Sequence, residues 1–222
     1  MKIKGFIVLI AALLTFTYSC KKSKQEIVNM GYNYFPLKTN NYSIYQVDSI
    51  VWNDYNSTID TFSYQVKLVI DSQYYDNENR LSYRWKKFTK SDTNQWTFNT
   101  NYSLTITNDR LESVQENMRY IKLIFPVVAG ANWDYNSLNI NESADSQYSD
   151  VDYKSTVLGL KNDSCLTVIY NEEVDLIQEI IYEEKYARNI GMFYSKHINK
   201  KKLTTGLQGY SVIYQLLEYG TE

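Results

Sequence analysis

The chain has 222 residues, 23 Lys and Arg against 25 Asp and Glu, a formal net charge of -2, and 22 tyrosines. That mildly acidic balance lacks the basic footprint of a nucleic-acid binder, so no nucleic acid is expected as a partner. Two cysteines are too few for a disulfide framework, and one histidine is too few for the usual zinc sets or a choice of catalytic bases, so no metal, cofactor or catalytic residue is predicted.

The first element in chain order is a leader. Lys2 and Lys4 precede an apolar run from Phe6 to Leu14, then Thr15 and Phe16, and then Thr17-Tyr18-Ser19-Cys20, the layout of a signal peptide. The apolar run is roughly half of the ~20 residues that a membrane-crossing helix requires, which argues for cleavage rather than retention. A cysteine at the first mature position places a sulfur nucleophile where diacylglycerol is attached. The stretch before it resembles a lipobox, with Ser19 as the small residue and Thr17 where leucine is usual.

The expected organisation is therefore a lipoprotein signal peptide over 1–19, a tether over 20–30 that begins at a lipidated Cys20, and a single β domain over 31–222. Palmitate-type chains contribute about 0.8 kcal/mol per buried methylene, so several chains on Cys20 would hold the protein on the membrane permanently. Lys21 stands where, in lipoprotein sorting, aspartate would favour the inner membrane. The expected location is the outer membrane, lipid-anchored, with the domain facing the periplasm.

In the domain, Phe62, Tyr64, Val66, Leu68 and Ile70 alternate with Thr61, Ser63, Gln65 and Lys67, the period-2 signature of a half-buried strand. The pattern recurs around Tyr83–Lys86, Trp96–Phe98, 102–106 and 210–214. About ten strands are predicted, near 42–51, 59–71, 80–88, 95–100, 102–107, 110–115, 118–125, 152–160, 164–171 and 180–196, separated by polar clusters such as 76–79 and 136–150. Strands in succession without helical pattern predict an all-β fold, an antiparallel up-and-down meander closed or half-open like a barrel. Residues 172–185 read mostly as strand, although Val174, Ile177 and Ile181 leave room for one short helix. The tyrosines suit strands whose rings roof the core while their hydroxyls reach water, or an aromatic platform for a sugar or apolar ligand.

Three stretches carry a resemblance: Tyr34-Phe35-Pro36-Leu37-Lys38 with Asn41–Tyr45; Arg119 to Val127 leading to Gly130 and Trp133; and Tyr186-Ala187-Arg188-Asn189-Ile190-Gly191-Met192-Phe193-Tyr194. They resemble small lipoproteins of the Bacteroidota type, with Asn40 and Ser43 in place of a glycine and a tryptophan. The resemblance implies a fold and a location and brings no activity. In physical terms Pro36 would start an extended strand, Pro126 would end one, and Gly130 and Gly191 would permit turns.

Candidate chemistry is sparse. Cys165, in the alternation Cys165-Leu166-Thr167-Val168-Ile169, reads as a small buried residue, and His197 as an exposed strand-end histidine with no nucleophile turn to serve. Asn141, Glu142, Asp145, Asp150 and Asp152 could offer oxygen to calcium but lack the spacing of a calcium loop. Glu172-Glu173 and Glu183-Glu184 read as surface charge, because adjacent strand residues point to opposite faces, and Lys200-Lys201-Lys202 as a solvated turn.

The sequence therefore favours a non-enzymatic envelope protein that binds a glycan, an apolar ligand or an envelope protein. One alternative is a structural or assembly accessory. Another is a carboxylate-based hydrolase built on Asp145, Asp150 or Glu173.

Overall fold

The computed structural model describes residues 29–90 and 95–222. The leader, Cys20 and the tether up to residue 28 lie outside the described residues. Twelve strands follow one another: β1 (Asn41–Asn53), β2 (Thr58–Tyr75), β3 (Leu81–Lys90), β4 (Thr97–Ile106), β5 (Arg110–Gln115), β6 (Met118–Ile124), β7 (Asn132–Asp134), β8 (Asp145–Val157), β9 (Leu160–Val174), β10 (Gln178–Ala187), β11 (Gly191–Lys202) and β12 (Leu207–Thr221). They form one antiparallel sheet in the order β6-β5-β4-β3-β2-β1-β12-β11-β10-β9-β8-β7, curled into a nearly closed barrel.

The order is a meander joined through its ends. β1 pairs with β12 from Asn41↔Thr221 to Trp52↔Gly209, so the beginning and end of the domain zip together in mid-sheet. The two edges, β6 and β7, fall in mid-chain. Between them a backbone bond and several side-chain bonds stand in for a ladder. Ile121 N–H donates to Tyr135 O at 3.0 Å, and Trp133 Nε1–H donates to Ile121 O at 2.8 Å. Tyr148 OH accepts from Ile124 N–H at 2.8 Å and donates to Ile124 O at 2.6 Å, which satisfies an edge that would otherwise template association.

Several elements differ from the sequence expectation. Residues 95–100 and 102–107 belong to one strand, β4, while 180–196 divides at the Arg188–Ile190 turn, where Asn189 takes φ 63° and Gly191 φ 99°. The polar stretch 136–150 contains the start of β8, and the three-residue β7 precedes it. No α-helix occurs among the described residues. Val174 and Ile177 flank a hairpin instead, because Asp175 Oδ1 accepts the N–H groups of Ile177 and Gln178 at 2.7 and 2.8 Å and closes a turn. Pro36 starts no strand. It follows a 3-10 turn over Tyr32–Tyr34, and β1 begins five residues later, at Asn41.

The segment from Met30 to Leu37 plugs one end of the barrel. Tyr34 is fully buried and bonds Asp152 at 2.7 Å through its hydroxyl, while the Phe35 ring packs edge-on against Trp85 at 5.8 Å. Met30 O accepts from Val127 N–H, and Arg188 lies 4.3 Å above the Tyr34 ring. The β1–β2, β5–β6, β9–β10 and β11–β12 hairpins lie at the opposite end, as strand alternation requires.

At that far end the β11–β12 pairing brings backbone to backbone. A Cβ at Gly209 (φ 135°) would stand 2.0 Å from Asn199 O and 2.8 Å from Lys200 Cα. Gly209→Ala is therefore expected to lower unfolding stability by about 2–3 kcal/mol in urea titrations, against about 1 kcal/mol for Gly159→Ala, where no atom lies within 4 Å and only the backbone penalty of φ 77° applies.

Candidate functional site

The barrel is filled unevenly. Apolar inward residues such as Val47, Val66, Leu104, Leu111 and Leu166 close the core, but between β6 and β10 the interior is polar. Lys122 of β6 and Glu184 of β10 form an ion pair at 2.5 Å, with side chains 6% and 5% exposed. Tyr170 OH donates to Glu184 Oε2 at 2.9 Å, and Tyr186 OH donates to the same oxygen. Tyr182 OH accepts from Lys122 Nζ at 3.1 Å and donates to Glu184 Oε1 at 3.0 Å. Each charge thus has its counter-charge and its hydrogen bonds, the condition for a buried pair to persist.

Strand irregularities put these groups together. The register shifts between Leu111 and Glu112 on β5, leaving Lys122 unpaired opposite them, and between Tyr182 and Glu183 on β10, leaving Tyr170 unpaired on β9. The two bulge residues meet: Tyr170 OH lies 2.9 Å from Lys122 O as well as from Glu184 Oε2, so its one proton is shared between the carboxylate and a carbonyl that the bulge released from the ladder. Along β10, Tyr182, Glu184 and Tyr186 alternate inward, while Glu183 points out and pairs with Lys185 at 3.2 Å.

Above this pair the barrel holds a cavity of about 280 Å³. Its polar lining comes from Lys122, Glu184, His197, Ser195, Gln115 and Lys87, and its aromatic lining from Trp85, Tyr102, Tyr182 and Tyr214, with Leu68, Met192 and Val212 adding aliphatic surface. Its size lies just below the usual range for small-molecule sites, and its mix of aromatic surface and a few polar groups matches them.

His197 is thus inside the barrel and only half-exposed, contrary to the strand-end reading. Its ring stacks on Tyr182 at 4.8 Å and its Nε2 lies 3.3 Å from Tyr210 OH. The cause is register: His197 pairs with Tyr182 on β10 and Val212 on β12, both cavity residues. Glu184 likewise corrects the reading of Glu183-Glu184 as surface charge.

Cys165 is buried as expected, with its thiol pushed up by burial, unsuited to a nucleophile. Asp145, Asp150 and Glu173 are exposed and do not converge, and Asp152 is taken up by Arg188 at 3.1 Å. Among the described residues no three His, Cys, Asp or Glu side chains group as a metal site would. Lys200 pairs with Glu179 at 2.5 Å, and Lys201 and Lys202 are exposed.

Burial works against ionisation of Glu184, but Lys122 and the hydroxyls of Tyr186 and Tyr170 outweigh it, and the carboxyl lies below its ordinary value. Burial also lowers His197, with Glu184 opposing and Lys122 reinforcing. Tyr170, Tyr182 and Tyr186 are raised well above the ordinary phenol value, by burial first and then by Glu184, and stay neutral donors.

No protein-family model matches the chain, and no curated protein matches it. Two solved structures align with 83% of this chain and 98% of their own. One is a protein described as exported, with a YmcC-like fold, from Bacteroides fragilis (13% identity, TM-score 0.43). The other is a protein described as a lipoprotein from Parabacteroides distasonis (11% identity, TM-score 0.43).

Glu184→Gln and Lys122→Met, each leaving one lone charge, should lower stability by about 3–5 kcal/mol, and the double variant should lose less than either single, as read by urea unfolding. On acidification two depressed groups act in sequence. Neutral His197 contributes fully above about pH 6.5 and its contribution is lost as pH falls through its lower folded value. Glu184 contributes above the carboxylate range and is lost lower still. His197→Asn should flatten the stability profile just below about pH 6.5 and leave the later acid limb in place.

Proposed function

We propose that the protein is a lipoprotein of the bacterial cell envelope, anchored through Cys20, whose barrel interior binds a small ligand without transforming it. The observation that carries the binding reading is the cavity lined by the Lys122–Glu184 pair and the aromatic rings of Trp85, Tyr102 and Tyr214. The reading of binding without catalysis is supported by the state of the ionic groups. Glu184 already holds an ammonium and three tyrosine hydroxyls, which leaves it no lone pair in position to serve as a base. The anchor reading rests on the leader and on Cys20, and the outer-membrane, periplasm-facing location rests on Lys21.

A second reading, an assembly accessory that docks on an envelope protein, is favoured by apolar side chains at the hairpin tips of the far end. Tyr55, Ile140 and Leu176 are 95%, 89% and 94% exposed there.

Two experiments test the proposal. Cys20→Ser should move the protein from the membrane fraction to the soluble fraction and abolish labelling by an alkyne palmitate; retention on the membrane with label intact would overturn the anchor. Native mass spectrometry of protein purified from its own membranes should show a bound small molecule that is lost in Val212→Trp, which fills the cavity. A stoichiometric protein partner recovered by crosslinking, with no small molecule bound to either form, would favour the accessory.

A further inference from the structure

Four ionisable side chains other than tyrosine line the cavity: Lys87, Lys122, Glu184 and His197. Lys122 and Glu184 neutralise one another at 2.5 Å, and burial holds His197 in its neutral form. Lys87 is different. It reaches from β3 to β12, where its Nζ lies 3.4 Å from Tyr214 OH and 6.0 Å from the centre of the Tyr214 ring, both at the outer limit of such contacts. Among the described residues no carboxylate pairs with it. The cavity lining therefore carries one uncompensated positive charge, on a half-buried ammonium beside Trp85, Tyr102 and Tyr214.

We infer that the cavity selects a compact organic anion, a carboxylate on an apolar or aromatic body, with Lys87 as its counter-charge. The inference rests on the cavity-binding reading and deepens it by naming the ligand's chemistry. A ligand that enters the cavity takes Lys87 out of water and must replace the hydrogen bonds that water would provide. A cation would leave two like charges in a partly desolvated space, and a neutral body would leave the ammonium short of partners. An anion gains a charge-assisted hydrogen bond in the same place.

The rest of the lining suits the body of such a molecule. Trp85 and Tyr102 present tilted faces with ring centres 5.9 Å apart, and Leu68, Met192 and Val212 add aliphatic surface. Tyr102, raised by burial, is pulled back by Lys87, against smaller upward pushes from Tyr214 and Glu116. At ~30 Å³ per water, the cavity of about 280 Å³ holds about nine waters, room for one or two rings or a short alkyl chain with its head group.

The test is calorimetric titration of the mature protein in a mild detergent with three matched pairs: benzoate and benzamide, 1-naphthoate and 1-naphthamide, decanoate and decanamide. At least one anion should bind about ten-fold more tightly than its amide, with a change in the emission of Trp85 assigned through Trp85→Phe. The preference should disappear in Lys87→Gln and persist in Lys87→Arg. Comparing each anion with its amide on the unmodified protein needs no variant to fold. Equal or amide-favoured binding in every pair would overturn the anion assignment and leave the cavity reading standing. A preference that survives Lys87→Gln would remove Lys87 from it. Absence of binding by all six compounds at millimolar concentration would overturn the cavity reading as well.

Discussion

The structure depends on one buried contact, the ion pair between Lys122 and Glu184. It joins β6, an edge of the sheet, to β10, which lies on the other side of the gap between β6 and β7. That gap has no continuous ladder. Closure relies on groups that cross it: the Lys122–Glu184 pair, the Tyr170 hydroxyl on Lys122 O, and the side-chain bonds from Trp133 and Tyr148 to Ile121 and Ile124. A charged pair is an expensive closure, because both ions must leave water. It is also a selective one, because a misregistered β6 would strand a charge in the interior, a mistake worth several kcal/mol.

The same pair fixes the character of the cavity. Glu184 is surrounded by donors, so Tyr170, Tyr182 and Tyr186 are held as neutral hydroxyls in set orientations, and the Tyr170 ring packs at a tilt against those of Tyr135 and Tyr182. Satisfied polar networks in low dielectric are stiff, and this one forms the floor on which the cavity sits. On the outer face Glu112 is treated similarly, buried under Arg80, Arg110 and Arg119, but its arginines are further matched by Asp76, Glu78 and Asp109, leaving no spare cation to offer a ligand. Lys87 is the contrasting case, a cation inside the barrel whose surroundings are aromatic.

Fold class was legible because strand alternation is a local property. The run from Thr61 to Ile70 and the hairpin punctuation needed no tertiary knowledge. The strand order was only half legible: hairpins give neighbours, whereas the pairing of β1 with β12 is a contact between segments at opposite ends of the domain. The polar interior was hidden by bulges. Period 2 places Glu184 on the face of Tyr182 and Tyr186, a signal present in the sequence, but reading Glu183-Glu184 as a charged doublet obscured it. Lys122 sits between Ile121 and Leu123, both buried, and nothing in that triplet says which face the lysine takes, because the answer depends on a register shift on β5. His197 was misplaced for a related reason: Lys196 beside it and the lysine cluster at 200–202 suggest solvent, while its partners Tyr182 and Val212 lie inside.

The barrel has two unlike ends, and the proposed anchor gives that asymmetry a direction. The chain enters the domain at Asn29 and Met30, tied to Arg188 and Val127 at the plugged end, where Tyr34 and Phe35 fill the interior. Residues 21–28, fully extended, would span at most about 28 Å between Cys20 and that end. A lipid on Cys20 would therefore hold the plugged end toward the membrane and turn the far end, with its hairpin tips, outward. Ligand exchange through the far end would then proceed on the aqueous side, and the exposed Tyr55, Ile140 and Leu176 would face whatever delivers or receives the ligand rather than the lipid that holds the protein. Gln115 and Lys87, near the far-end limits of β5 and β3, put part of the cavity lining on the hairpin side of the plug, so the two proposed roles share one end of the barrel.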